Sequence, residues 1–212
     1  MNKFYGKYRA IVTEVHDTEF RGRIKVRCPK VYGEFESPWC LPCVPFAFDK
    51  GGIFMIPHVN EVVWIEFEEG NPEFPIWTGS WWAEEKAPLD KALYPSQTNI
   101  NKIFKSRSGH LIQFVDWEGN EQLIIRHSSG NEIIFEGNEQ IKIKHSSGNE
   151  IIFEPFEPNG EIKIKHSSGS EMIFEADGEI KIKHSSGSEM IFEANGEITI
   201  KGKKIKLVEE DQ

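Results

Sequence analysis

Residues 162–175 read IKIKHSSGSEMIFE, and this stretch decides the fold of the second half of the chain. The same pattern recurs at 141–154 and 180–193, and a looser copy begins at Leu123. Within 162–175 every charged residue occupies an odd position, whereas the even positions are apolar, small or histidine. That alternation has the period of a β-strand. The repeat therefore predicts pairs of short strands, joined by Ser-Ser-Gly, with one apolar face and one charged face.

The repeats are spaced almost evenly along the chain. Corresponding positions 106, 127, 145, 166, 184 and 202 are separated by steps of 21, 18, 21, 18 and 18 residues. The first and last copies are atypical, which is usual for the caps of a repeat array. The phenylalanines of the repeats share the apolar parity: Phe135, Phe153, Phe174 and Phe192.

One flat ribbon would leave its apolar face in water. Four large apolar side chains per copy represent on the order of 6–12 kcal/mol when fully buried. Three chains wound about a common axis would bury them and remove the sheet edges. A single-chain antiparallel meander is an alternative, because Asp-Gly and Asn-Gly favour hairpins. A left-handed solenoid with 18-residue coils is a further alternative, although the 21-residue steps break its period.

The first 82 residues predict a second all-β unit. Strands are indicated at 8–15, 22–28, 39–46, 51–57, 61–68 and 75–82, separated by turns rich in Gly and Pro. So many short strands in so few residues predict a small barrel or sandwich, and a five-stranded OB-like barrel fits the count.

Three segments of this unit resemble a known family. They are GRIKVRCP at 22–29, SPWCLPCVPF at 37–46 and GGIFMIPHVNEVVWIEFEEGNPEFPIWTGSWW at 51–82. They are similar to the OB-fold domain of phage baseplate spike proteins (baseplate assembly protein V) and of VgrG, the spike of type VI secretion. The matching positions are Gly22, Arg23, Val26, Trp39, Pro57, Val63, Phe67, Gly70, Asn71, Pro72, Pro75 and Gly79.

The resemblance implies an all-β protein with an OB-fold barrel at 1–82, a linker at 83–102 and a trimeric, intertwined triple-stranded β-helix at 103–212. It implies a structural spike at the tip of a contractile tail or injection machine. Such a spike closes the tube and baseplate hub and pierces the target cell envelope. The expected partners are two further copies, hub and tail-tube proteins and the target envelope. The expected location is the tail tip of a phage or phage-like particle.

The positions of the barrel that match the family are expected to serve the structure. The Gly70-Asn71-Pro72 segment predicts a tight turn, because Gly permits positive φ and Pro fixes φ. The tryptophans Trp64, Trp77, Trp81 and Trp82 are expected to fill or cap the barrel.

Metal binding has only weak candidates. Cys40 and Cys43 have the spacing of half a zinc site, and Cys28 could add a third ligand, but buried thiols of the core are the favoured interpretation. His127, His145, His166 and His184 lie on the apolar parity, so a trimer could place them in rings around an axial ion. The favoured interpretation is that they bond to the backbone or water beside each Ser-Ser-Gly. We expect no cofactor.

Other function classes have little support. No arrangement of catalytic residues is evident, so we expect no enzyme activity. The net charge of -9 argues against nucleic acid as the main partner. A receptor- or polysaccharide-binding adhesin is the alternative function, but it would need an exposed aromatic strip, and the repeat phenylalanines lie on the apolar parity.

The two termini carry further expectations. The first residues lack the apolar run of a signal peptide, so synthesis and folding in the cytoplasm are expected. No stretch is long and apolar enough for a transmembrane helix. The last residues, 206–212, lack the His-x-His found at the tips of some spikes of the family, so a separate protein is expected to cap the tip.

Overall fold

A computed structural model describes residues 2–84, 86–88, 101–157 and 160–206. The chain divides into two compact units, Met1–Ala87 and Pro88–Gln212. Most of the predicted linker lies outside the described residues, and its last two positions already belong to a strand. Each unit is described by itself.

The first unit is a closed β-barrel. Its elements are β1 (Tyr8–Glu14), β2 (Lys25–Arg27), α1 (Pro29–Tyr32), β3 (Leu41–Pro42), β4 (Ala47–Phe48), β5 (Gly51–Gly52), β6 (Val62–Phe67), a short 3₁₀ helix (Glu68–Gly70) and β7 (Pro75–Ser80). The main sheet has the order β2-β1-β6-β7-β3, and only β3 and β7 are parallel. Ile24 and Cys40 then join the two outer strands through backbone hydrogen bonds of 3.2 and 2.8 Å.

Strand alternation explains the barrel core. In β6 the side chains of Val63, Ile65 and Phe67 are buried, and the residues between them are half-buried on the outer surface. The interior is completed by Ala10, Val12, Ile24, Val26, Cys28, Cys40 and Trp77. An unbroken inward row on each strand is what a small barrel needs to fill its interior without a cavity.

Residues 51–57 are not the strand that their apolar run predicts. Only Gly51 and Gly52 pair, and their partners are Ala47 and Phe48 in a separate two-stranded sheet. Gly52 has a φ of 130°, and residues 53–57 are irregular. The fifth barrel strand is instead the short β3.

The second unit is an eleven-stranded antiparallel sheet. Its strands are β8 (Asn101–Lys105), β9 (Leu111–Val115), β10 (Gln122–Arg126), β11 (Glu132–Glu136), β12 (Ile141–Lys144), β13 (Glu150–Phe153), β14 (Ile162–Lys165), β15 (Glu171–Phe174), β16 (Ile180–Lys183), β17 (Glu189–Phe192) and β18 (Ile198–Lys201). They follow one another in chain order, and each pairs with the next. Within one chain this is the antiparallel meander considered above, and the left-handed solenoid was wrong.

The turns of the sheet follow one scheme. In the Ser-Ser-Gly turn after β14, Gly169 donates its N–H to the carbonyl of His166 at 2.9 Å and has a φ of 89°. His166 donates its own N–H to the carbonyl of Ser170 at 2.8 Å. The turn after β15 repeats both bonds between Glu175, Gly178 and Glu179. Apart from the longer loops after β9 and β13, the turns at both edges therefore share this pair of hydrogen bonds, which encloses three residues, the third of them left-handed.

Candidate functional site

Two continuous rows of apolar side chains cover one face of the second unit. Antiparallel strands in register align side chains of one parity across the sheet. The first row is Phe104, Ile112, Ile125, Ile133, Ile143, Ile151, Ile164, Met172, Ile182, Met190 and Ile200. The second row is Phe114, Leu123, Phe135, Ile141, Phe153, Ile162, Phe174, Ile180, Phe192 and Ile198. We call the two rows together the apolar face.

The apolar face stays partly uncovered within one chain. Ile143, Ile164 and Ile182 expose 40%, 43% and 38% of their surface, although each lies between apolar neighbours on both sides. The four phenylalanines predicted on the apolar parity all lie here. Apolar rows that run across ten neighbouring strands exceed the scattered exposed residues of an ordinary monomer, and a face of this kind is typical of interaction surfaces.

On the opposite face of the sheet, apolar side chains are covered and charged side chains are paired within the chain. Its central row is Ile134, Lys142, Ile152, Lys163, Ile173, Lys181, Ile191 and Thr199. Ile152 and Ile173 expose only 4% and 7%, because each lies between two lysines whose methylene stems cover it. Lys163 Nζ lies 2.6 Å from Glu161 and 3.3 Å from Glu154, and the bond to Glu161 raises the pKa of Lys163. We call this surface the charged face.

The four repeated histidines belong to the turns at one edge of the sheet. In each, Nδ1 lies 2.7–2.8 Å from the hydroxyl of the serine two residues later and accepts that serine's N–H at 3.1–3.2 Å. Successive histidines are two strands apart, about 9.6 Å along the sheet edge. The turn therefore occupies Nδ1 and leaves Nε2 as the nitrogen open to other partners.

The cysteines do not converge. Cys28 and Cys40 are buried in the barrel, where burial raises the pKa of both thiols, that of Cys40 to about 11. Cys43 is exposed, so the expectation that all three are core thiols was wrong for this one.

One acidic cluster has its own counterion. Carboxylate oxygens of Glu175, Asp177 and Glu179 lie within 4.8 Å of one another in the turn after β15. Lys181 pairs with both glutamates, at 3.4 Å from Glu179, and Asp177 accepts the N–H of Glu179 at 3.0 Å. These contacts close the turn and balance its charge.

Arg23 fixes the loop between β1 and β2. Its Nη2 lies 2.6 Å from Asp17 and 3.0 Å from Glu19, and its guanidinium sits 5.4 Å from the centre of the Trp39 ring. Asp17 also accepts the backbone N–H groups of Arg21 at 2.8 Å and of Arg23 at 3.2 Å. The hydrogen bond from Arg23 holds the pKa of Asp17 far below its usual range. The role of this family position is structural.

The turn after β6 has the predicted geometry. Gly70 has a φ of 73°, and a Cβ there would lie 2.9 Å from the ring of Tyr5. Asn71 donates its N–H to the carbonyl of Glu68 at 2.9 Å, and the Tyr32 hydroxyl donates to the carbonyl of Pro72 at 2.7 Å. Glycine is required here both for the backbone and for the space.

The tryptophans divide between the interior and the surface. Trp77 is buried and donates its indole N–H to the carbonyl of Gly22 at 3.2 Å. Trp64 and Trp81 lie outside the core, 4.7 Å apart, with Arg9 about 5.5 Å from both rings. Trp82 is exposed. Trp77 therefore fills the barrel as expected, whereas Trp64, Trp81 and Trp82 do not belong to its interior.

A second apolar surface projects from the barrel. We call residues 46–55, which contain β4 and β5, the apolar arm. Phe46, Phe48, Phe54 and Met55 are exposed there, and the rings of Phe46 and Phe48 are parallel with centroids 6.2 Å apart. A Cβ on Gly51 would lie 2.2 Å from the Phe48 ring, so glycine lets this ring lie flat on the hairpin.

Two aromatic side chains at the other sheet edge were missed by the sequence reasoning. Trp117, in the loop between β9 and β10, exposes 48% of its surface, and Phe156, between β13 and β14, exposes 83%. Both fall outside the repeated pattern. Both lie within the two 21-residue steps, and the three extra residues of those steps were the signal in the sequence that could have pointed to them.

One family matches the chain. The sequence model described as "Type VI secretion system/phage-baseplate injector OB domain" matches residues 8–82, which span every strand of the barrel. The predicted resemblance is confirmed over this range. The match indicates a structural role related to the baseplate, association with other baseplate or tail components, and a location in a virion or baseplate. No curated protein matches the chain.

Several solved structures are similar at low identity. The TCP10 domain of Danio rerio CPAP, solved with a peptide of Danio rerio STIL, is 20% identical, with 48% of this chain and 54% of that one covered and a TM-score of 0.38. The G-box domain of the microcephaly protein CPAP is 11% identical over 92% and 99%, with a TM-score of 0.34. The TCP10c domain of Drosophila melanogaster Sas-4 is 18% identical over 49% and 99%, with a TM-score of 0.17. At these scores the likeness carries no functional argument.

Among the described residues, no helix has the length and apolar character to cross a membrane.

Proposed function

We propose that this protein is the non-enzymatic central spike of a contractile injection machine, in a phage or phage-like particle. Three copies would form a needle from their second units, while the barrels close the end of the tube and hub. The observation that carries the proposal is the uncovered apolar face, on a chain whose barrel matches an injector OB domain.

The energetics of the apolar face favour a trimer. A side chain such as Ile164, still 43% exposed, would gain about 0.6–1.3 kcal/mol on complete burial. Fourteen of the 21 side chains of the apolar face are at least 37% exposed, and together they give a driving force above the cost of association. Three sheets around an axis bury three apolar faces at once and direct three charged faces to water.

Two arrangements would achieve this burial. In a three-sided prism each chain contributes its own eleven-stranded meander as one wall. In the intertwined triple-stranded β-helix implied by the family, strands of different chains would pair instead. Both place the same residues, among them Phe153 and Phe174, at the axis. In the three-sided prism the repeated histidines would lie at a sheet edge, close to a neighbouring chain and away from the axis.

The exposed aromatic side chains of the apolar arm indicate that the barrel binds a partner. Phe46, Phe48 and Phe54 lie on the outside of a unit whose own core is already complete. We propose that the arm docks on a hub or tail-tube protein. The spike would then act mechanically, with the needle, under a separate tip cap, pressed through the target envelope when the sheath contracts.

Measuring the mass in solution tests the proposal. A trimer of 24.4 kDa chains has a mass of about 73 kDa, and light scattering on the full-length protein would separate it from a monomer. We expect the trimer, and we expect it to survive warm detergent, because dissociation would expose every apolar row together. A monomer at micromolar concentration would overturn the proposal.

A further inference from the structure

The loops at one edge of the sheet come in two lengths. Five residues separate Phe135 from Ile141, Phe174 from Ile180 and Phe192 from Ile198, which are cross-strand partners. Eight residues separate the equivalent partners Phe114 and Leu123, and Phe153 and Ile162. Two of the loops have therefore gained three residues each at the same place in the repeat.

Each lengthened loop carries one exposed aromatic side chain. Trp117 lies in the first and Phe156 in the second, whereas the short loops carry only Gly137, Ala176 and Ala194 at the start of the turn. The five-residue loop already closes a hairpin of the same kind. The three added residues are therefore not needed to close the hairpin. Their effect is to expose an aromatic ring to water.

A groove lies beside the short loop that separates the two aromatic loops. Gly137 and Asn138 lie on the short loop between them, and these residues form one wall of a groove whose other wall is Pro155 and Phe156. The backbone of Glu121, at the end of the Trp117 loop, lies about 3.1 Å from where a Cβ on Gly137 would be. The loops thus form a continuous strip, with the two aromatic loops about four strand spacings, or 19 Å, apart.

The charge of the strip limits its ligands. Residues 115–122, 136–140, 154–157 and 160–161 include eight Asp or Glu and no Lys or Arg. Lysines of the neighbouring strands pair with four of the eight, Asp116, Glu136, Glu154 and Glu161, and the other four leave the strip net negative. Such a surface repels nucleic acid and anionic polymers. Carboxylate and amide groups such as those of Asn138, Glu139 and Glu157 do, however, suit a ligand rich in hydroxyl donors and acceptors.

We infer that this strip binds an uncharged, hydroxyl-rich polysaccharide, with Trp117 and Phe156 as the platforms on which sugar rings stack. Aromatic faces accept the apolar faces of sugar rings, and the polar groups between them meet the hydroxyls. A protein partner is disfavoured, because two isolated rings with polar groups between them do not form the contiguous patch of a protein interface.

Co-sedimentation tests this site. Full-length protein is mixed with two uncharged polysaccharides, chitin and cellulose, and, as an anionic control, with heparin beads. We expect retention on at least one of the first two and none on heparin. The variant W117A/F156A should bind at least about tenfold more weakly, and F20A, which removes an equally exposed phenylalanine from the barrel, should bind like the wild type.

A loop exchange gives a second variant with an intact sheet. Residues 154–161 are replaced by EADGE, the sequence of the natural short loop at 175–179. This chimera should keep the wild-type circular dichroism and solution mass and lose binding. Equal binding by all variants, no retention of the wild type on either glycan, or retention on heparin alone would overturn the inference. The solution mass tests the trimeric spike and the co-sedimentation tests the polysaccharide site, so a failure of one proposal can be told from a failure of the other.

Discussion

Replacing Ile164 by lysine tests whether the apolar face is an interior surface. Ile164 lies between Ile151 and Met172, at the middle of the first row. In a single sheet its exposed end would let a lysine reach water, and a surface change of this kind alters stability by less than about 0.5 kcal/mol. In a trimer the same change loses about 0.6–1.3 kcal/mol of burial per chain, or about 2–4 kcal/mol per assembly. Three ammonium groups would also be forced together away from water.

The expected result for I164K is a trimer at least about 30-fold weaker, measured by sedimentation over a range of concentrations. T199K is the matched control, since it introduces the same side chain on the charged face. Thr199 occupies the row in which Lys142, Lys163 and Lys181 stand, and its hydroxyl donates to Glu193 at 2.7 Å. T199K should therefore assemble like the wild type. If I164K assembled as well as T199K, the apolar face would not be the interior of an assembly.

Three further outcomes are expected. Glu139 has a φ of 67° where the other short loops hold glycine, so E139G should raise the free energy of unfolding by about 0.5–1 kcal/mol in urea titration, and a loss of stability would contradict the strain argument. The pKa of Asp17 is depressed by Arg23, so its contribution is complete above the ordinary pKa of about 4 and is lost as pH falls below it; the difference in unfolding midpoint between wild type and D17N should shrink in that window, and a constant difference would refute the assignment. A thiol reagent at pH 8 should label only Cys43 in the folded protein, because Cys40, with a pKa of about 11, and the third cysteine are buried; labelling of more than one thiol before denaturation would show that the barrel opens.

Local patterns made much of this fold predictable. The alternation in 162–175 and the Ser-Ser-Gly turns act over neighbouring residues, so the sequence alone predicts strand pairs with one apolar face. The Gly70 turn was predictable for the same reason. The run at 51–57 was misleading, because its apolar composition suits a strand while Gly52 adopts a backbone conformation that breaks one.

Other features depend on contacts between distant residues. Ile173 shares the parity of the charged residues, and only the lysines of neighbouring strands explain its burial. The outward position of Cys43 could have been inferred, because residues three apart in an extended chain point to opposite sides, and Cys40 already points inward. Trp117 was not predicted, because it lies in a loop between the repeated positions and has no counterpart in the other copies. What covers the apolar face depends on other molecules. The sequence of one chain therefore predicts that the face has to be covered, but not how the covering chains are arranged.

The identical closure of both kinds of turn has a consequence for how such a protein changes over generations. Each 18-residue cassette returns the chain to the same register and the same face, after two strand spacings of about 9.6 Å. Recombination between near-identical copies in the gene would add or remove whole cassettes without disturbing the pairing on either side. The length of the second unit would then change in fixed steps of about 9.6 Å, set by the number of cassettes.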